Sequence, residues 1–242
     1  MMVETRHLCK KYGSKTAVDD LNLTIAEGEL FSLLGVNGAG KTTTIRMLSC
    51  LSTPTSGEAF VSGCNCASQA KEVKRIVGIS PQDTAVADHL TVLENLTFMA
   101  DLYGFSKEKT EQKVAQMIAD FRMEEVANQR AKSLSGGWKR RLSIAMALIS
   151  EPKLLFLDEP TLGLDVLARR ELWRVIEGLK GMMTIVLTTH YMEEAEHLSD
   201  RIAVMISGRI AACGTLAEIK TAAGAKDLES AFVTIAEKEG AI

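Results

Sequence analysis

LFSLLGVNGAGKTTTIRMLSCL, residues 30–51, sets an apolar run, a glycine-rich loop and a helical stretch end to end. Leu30 to Leu34 reads as a short buried strand, and Lys41 to about Leu51 as a helix. Between them, Gly35-Val36-Asn37-Gly38-Ala39-Gly40-Lys41-Thr42 fits the pattern G-x-x-x-x-G-K-[ST]. Glycines let successive backbone N–H groups converge on phosphate oxygens, and the helix N-terminus adds positive potential. Lys41 can neutralise β- and γ-phosphates, and Thr42 offers a hydroxyl to Mg²⁺. Average composition yields the pattern by chance in roughly 1% of chains of this length. A strand before it and a helix after it lower that figure further. The stretch therefore predicts a nucleotide-binding α/β fold.

The chain as a whole is large enough to support that fold. It has 242 residues, 46% hydrophobic and 24% charged, with aromatics at 5%. The core must rest on Leu, Ile, Val, Ala and Met. A net charge of −3 argues against a surface that coats nucleic acid. No run of about 18 uncharged apolar residues is present, so no bilayer-spanning segment is expected. MMVETRHLCKKYG at the start lacks the apolar centre of a signal peptide. Five cysteines without framework spacing fit a reducing compartment. Cys64 and Cys66 form a C-x-C with no further ligand at useful spacing, which disfavours a metal site.

Outward from the loop, residues 3–11 and 16–25 read as strands punctuated by Gly13 and Gly28. Short strands are expected at 58–61 and at 75–79, RIVGI, before Pro81. Residues 88–150 change character and read as helical. Thr91 to Tyr103 is one helix, stopped by Gly104. Val114, Met117, Ile118 and Phe121 give the i, i+3, i+4, i+7 face of a second, and Lys139 to Ser150 a third, largely buried one. Strand–helix alternation then resumes: strand 154–157, helix 166–180, strand 184–188, helix 191–199, and a hairpin of 202–206 with 209–213. The pattern predicts a largely parallel sheet covered on both faces, interrupted by a helical insertion.

Two further devices lie close together. LLFLDEP carries Asp158 and Glu159 to the end of a buried strand, where ligands of open α/β sheets bind. Asp158 suits a metal site; Glu159 suits general-base work on a water attacking the γ-phosphate. Alone, the pair could be an ordinary acidic strand-to-turn junction. Upstream, Ser135-Gly136-Gly137 offers a hydroxyl, flexible backbone donors and a helix start, and so can hold a second anion.

With GVNGAGKT before it and LLFLDEP after it, LSGGW at 134–138 resembles the nucleotide-binding domain of ABC transporters, and the resemblance covers nearly the whole chain. It implies a P-loop NTPase fold: a RecA-like parallel core, an N-terminal antiparallel β part and an inserted α-helical subdomain. The implied domain is 2–230, with core parts at about 2–87 and 151–215, helices at about 88–150, and a short tail at 216–242. Gln82 matches the family's Q-loop, Gly163-Leu164-Asp165 its D-loop, His190 its switch histidine and Tyr12 its adenine-stacking aromatic. By resemblance, Glu159, His190 and Gln82 are catalytic, and Thr42, Gln82 and Asp158 hold Mg²⁺. Tyr12, Gly35, Asn37, Gly38, Ala39, Gly40, Lys41, Thr42 and Thr43 bind ATP, together with Ser135, Gly136, Gly137 and Asp165.

The chain has one phosphate loop and two anion-binding turns. The family's solution is a head-to-tail dimer in which Ser135 of one subunit meets the ATP of the other, giving two sites across a two-fold axis. The resemblance further implies a homodimer or paired ATPase subunit, separate integral-membrane subunits contacted through about 83–105, and no direct nucleic-acid partner. It implies a cytoplasmic chain, peripheral on the inner face of the membrane. Residues 134–165 and the ending DLESAFVTIAEKEG resemble the drug-resistance exporter branch. The alternative is a non-transport ABC ATPase of DNA repair or translation, but the long coiled-coil insertions and zinc sites usual there are absent from this sequence. One departure stands out: Trp138 occupies a position where the family usually carries Gln or Met.

Overall fold

The computed structural model describes residues 1–241. Strands β1 (Val3–Tyr12) and β2 (Lys15–Ile25) pair antiparallel. β3 (Leu30–Leu34) leads through the glycine loop into α1 (Lys41–Leu48). β4 (Ser56–Val61) and β5 (Cys64–Asn65) complete a four-stranded antiparallel sheet of order β2-β1-β4-β5. α2 (Ala70–Ile76) precedes β6 (Val77–Ser80).

The helical block is α3 (Val92–Leu102), α4 (Lys107–Asp120) and α5 (Gly136–Leu148). After it come β7 (Leu154–Asp158), α6 (Val166–Leu179), β8 (Thr184–Thr189), α7 (Met192–Leu198), β9 (Arg201–Ile206) and β10 (Arg209–Gly214). The second sheet has the order β10-β9-β3-β8-β7-β6, parallel throughout except for β10 at one edge. Every residue of β3, β7 and β8 is buried, as expected of parallel strands covered on both faces.

Strand alternation divides the core. Leu155 and Leu157 of β7 join Ile185 and Leu187 in a cluster with α3, α4, α5 and α6. Leu154 and Phe156 face the other way, with Phe31, Leu33, Ile45 and Leu48, beneath the antiparallel sheet. The period of two therefore carries Asp158 to the same side as α1, the helix that bears Lys41 and Thr42.

Three sequence expectations are corrected. Residues 75 and 76 close helix α2, and the strand runs over 77–80 instead of 75–79. The strand begins only where the chain passes under α5. Gly78 lies so close to the Ala147 carbonyl that a Cβ there would collide with it. Helix α1 ends at Leu48, short of Leu51, and Cys50 takes a left-handed φ of 58°. Helix α5 begins at Gly136, three residues before Lys139, because Ser135 caps it by accepting from the Trp138 N–H at 3.5 Å. The tail is folded: α8 (Leu216–Ala223) and α9 (Leu228–Lys238) bury Ile219, Leu228, Phe232 and Ile235 against β9. The expected helix at 91–103 stands, opened by a capping box between Thr91 and Glu94 and closed by Gly104 at φ 73°.

Candidate functional site

The glycine loop is shaped by its neighbours as well as by its own sequence. Gly40 sits at φ 108°, and a Cβ there would meet the Ala17 carbonyl at 2.5 Å and Met205 Cε at 2.8 Å. Only glycine fits, and the backbone can then turn its N–H groups outward at the start of α1.

Lys41 is buried, 5% exposed. Its Nζ donates to the carbonyls of Gly35 (2.7 Å) and Val36 (3.3 Å) and pairs with Glu159 Oε1 at 3.0 Å. The other carboxylate oxygen of Glu159 lies 2.7 Å from His190 Nδ1. Glu159 is held in a left-handed conformation, φ 49°, and its N–H donates to the carbonyl and Oγ1 of Thr188 at 3.1 and 3.0 Å. A non-glycine residue there is strained, and strain of this kind clusters at working sites. Asp158 Oδ1 accepts from Thr42 Oγ1 at 3.1 Å and from Thr188 Oγ1. One threonine of β8 thus ties down both acids of β7.

Tyr12, Asn37, Gly38, Ala39, Gly40, Lys41, Thr42, Thr43, Gln82 and Glu159 line a single cleft of about 450 Å³. Gly35 lies beneath it as an acceptor for Lys41, while Asp158 and His190 reach it through Thr42 and Glu159. Ser135, Gly136, Gly137 and Asp165 are absent from its walls. They form a second group. A Cβ at Gly136 would lie 3.7 Å from Leu164 Cδ2, and one at Gly137 would lie 3.3 Å from Ala168 Cβ. Asp165 caps α6, accepting from the N–H groups of Leu167 and Ala168 at 2.9 and 3.0 Å.

Sequence reading missed Lys15, Ala17 and Leu162, which also line the cleft, and Thr188 behind it. Lys15 carried a weak signal, three residues after the exposed Tyr12. Thr188 carried none, because its role depends on the register of β8 against β7. Trp138, unassigned from sequence, is half-buried against the helical core, with the Arg141 guanidinium 4.7 Å from its ring centroid. Arg141 in turn pairs with Glu171 of α6. Among the described residues no group of three His, Cys, Asp or Glu is placed to hold a metal ion, and no helix is long and apolar enough to cross a membrane.

Residues 18–162 match the family described as ABC transporter. Phospholipid-transporting ATPase ABCA3 of Homo sapiens is 44% identical over 227 residues, covering 92% of the chain; the chain spans 13% of that relative's length. The daunorubicin/doxorubicin resistance ATP-binding protein DrrA of Streptomyces peucetius is 41% identical, with 93% of the chain and 69% of the relative covered. A solved structure described as a dimeric post-hydrolysis state of the ATP-binding cassette MJ0796 bound to ADP and Pi superposes with a TM-score of 0.80 at 27% identity. That match covers 89% of this chain and 99% of the other.

Proposed function

The chain belongs to the ABC transporter family, and from that premise we propose that it is the ATP-hydrolysing subunit of an exporter. It works as a head-to-tail dimer beneath separate membrane-spanning subunits, on the inner face of the cell membrane. The observation that carries the reading is the buried contact set Lys41–Glu159–His190 at the end of β7.

In this reading Tyr12 stacks on adenine, while the loop amides and Lys41 hold the phosphates. The γ-phosphate competes with Glu159 for Lys41, which frees Oε1 to accept a proton from the attacking water. His190 keeps the carboxylate aimed through its contact at Oε2. Thr42 Oγ1, Asp158 Oδ1 and the Gln82 side-chain amide are hard oxygen donors, a set that fits Mg²⁺. The ion would neutralise charge on the β- and γ-phosphates.

The separation of the Ser135 turn from the cleft supports a composite site, in which each turn serves the ATP of the other subunit. The dimeric state of MJ0796 with ADP and Pi favours the same arrangement. An apolar groove of about 400 Å³, with Leu51, Ile79, Pro81, Met99 and Tyr103 in its walls, lies beside exposed Phe98 and Leu102. It falls where the sequence resemblance expects the membrane subunit and supports docking there. DrrA and ABCA3 are named for drug resistance and phospholipid transport, which favours transport over a DNA-repair or translation role and supports the exporter branch.

Phosphate release measured against protein concentration tests the proposal. Turnover per chain should rise with concentration until the dimer saturates. A constant rate from a chain that stays monomeric with ATP and Mg²⁺ would count against it.

A further inference from the structure

Arg140 lies on α5, five residues beyond Ser135, and is 5% exposed. Its guanidinium donates from Nη1 to the Pro81 carbonyl and from Nη2 to the Gln82 carbonyl, both at 2.6 Å. No carboxylate lies within ion-pair distance of it among the described residues. Burial pushes its pKa down from the ordinary arginine value, opposed by the fields of Asp158, Asp83 and Glu194. One turn further along α5, Ser143 Oγ bonds Ser80 Oγ at 2.9 Å, both buried. The end of β6 and the loop after it are therefore fastened to α5 at two points. A planar fork spanning two successive carbonyls fixes orientation as well as distance.

We infer that Arg140 is a positioning residue that holds Gln82, in the chain's own ATP cleft, at a fixed offset from Ser135, which serves the neighbour's. The inference rests on the composite-site reading above. Gln82 lines the cleft with Lys41 and Glu159. Ser135 opens the helix that Arg140 belongs to. Helix α5 is buried from Arg140 to Leu148, so its close-packed turns transmit strain along the helix. Any displacement of the Gln82 backbone on binding ATP is thus passed to the turn that meets the second ATP. Pro81 lines the apolar groove as well, so an occupant of that groove pushes on the same clamp. No other side chain links the segment carrying Gln82 to α5 with two bonds to its backbone among the described residues.

The test uses the full chain in a Glu159→Gln background, with ATP-dependent dimerisation read by size-exclusion chromatography and light scattering. ATP binding to the monomer is measured separately with a fluorescent ATP analogue. Adding Arg140→Met should raise the ATP concentration needed for dimerisation roughly tenfold while leaving monomer affinity within about twofold. Arg140→Lys, a point charge without the fork, should fall between the two. With Glu159 intact, Arg140→Met should lower kcat and bring the Hill coefficient for ATP toward one. If Glu159→Gln alone stays monomeric with ATP, the dimer reading fails, and this inference with it. If the double variant dimerises at the same ATP concentration as Glu159→Gln, the dimer reading stands and the Arg140 assignment is overturned. Should the methionine variant fail to fold, the lysine variant decides: unchanged dimerisation and cooperativity overturn the assignment.

Discussion

Lys41 Nζ stands 3.0 Å from Glu159 Oε1, a pair that joins the phosphate loop to the carboxylate at the end of β7 with each side chain 5% exposed. Buried ion pairs contribute little net stability, yet removing one partner leaves an uncompensated charge. Evolution has many ways to fill a core position without charges. A Lys–Glu pair at the mouth of a phosphate loop is better explained by the anion that competes for the lysine. Lys41→Ala should therefore weaken ATP binding or turnover by at least about tenfold, because it removes the cation facing the β- and γ-phosphates. Equilibrium binding and phosphate release would show it. Wild-type hydrolysis by this variant would refute the phosphate-loop assignment.

Glu159→Gln keeps the shape and the oxygen that meets Lys41 or His190 but cannot take a proton from water. Turnover should fall roughly 10²- to 10⁴-fold, the range for losing a general base. ATP affinity should be retained and the ATP-bound dimer should persist. Hydrolysis near the wild-type rate would move the base assignment elsewhere.

Ser135 reads differently once its surroundings are known. It caps α5 and sits apart from the cleft that holds Lys41. In a mixed dimer with Ser135→Arg in one protomer, the ATP bound by the other protomer should be the one whose hydrolysis fails. Radiolabelled nucleotide trapped in each tagged protomer separates the two sites. Damage confined to the chain carrying the substitution would contradict the composite site.

The phosphate loop, the acids and the buried strands could be read ahead of the structure because each has a local signal. Glycine spacing marks the loop, and buried apolar runs mark β3, β7 and β8. The misplaced strand at 75–79 shows where local signals end. Arg75 and Ile76 continue a helical pattern, and the strand start is set by the passage of Gly78 beneath Ala147, a tertiary contact. Thr188 was unreadable for the same reason, since a threonine in TIVLTT announces nothing until register places it against Asp158. The tail's apolar spacing forms α9 because Phe232 and Ile235 find a surface on β9.

Trp138 departs from the family's usual Gln or Met without leaving an exposed aromatic. It packs on the helical core and under Arg141. Trp138→Ala should cost about 1–3 kcal/mol in folding stability, from half-buried aromatic area and a cation–π contact. Trp138→Gln should cost less stability than alanine and preserve turnover, since the Ser135 cap accepts from a backbone N–H that glutamine also has. Denaturant midpoints and phosphate release measure the two effects. A large loss of turnover at unchanged stability would instead give the indole a direct part at the dimer surface.

Glu194 is fully buried four residues after His190, and its Oε1 accepts from Trp173 Nε1 at 3.0 Å while Oε2 meets no hydrogen-bond partner among the described residues. Burial raises its pKa, with the nearby Glu159 charge adding to the rise and the hydroxyls of Thr189 and Thr161 opposing it. A carboxyl raised in the folded state contributes stability fully present below its unfolded pKa and lost as pH climbs through the folded value. The wild-type chain should thus lose stability as pH rises above the ordinary glutamate range, to the extent that this group is forced to ionise. Glu194→Gln keeps the acceptor for Trp173 and cannot ionise. Its thermal midpoint should match wild type at acid pH and exceed it increasingly as pH rises above the ordinary glutamate range. Midpoints measured for both proteins across pH 4 to 8 provide the check. A wild-type advantage that grows with pH would mean that Glu194 is stabilised as an anion, with Arg140 as the cation within reach of its field.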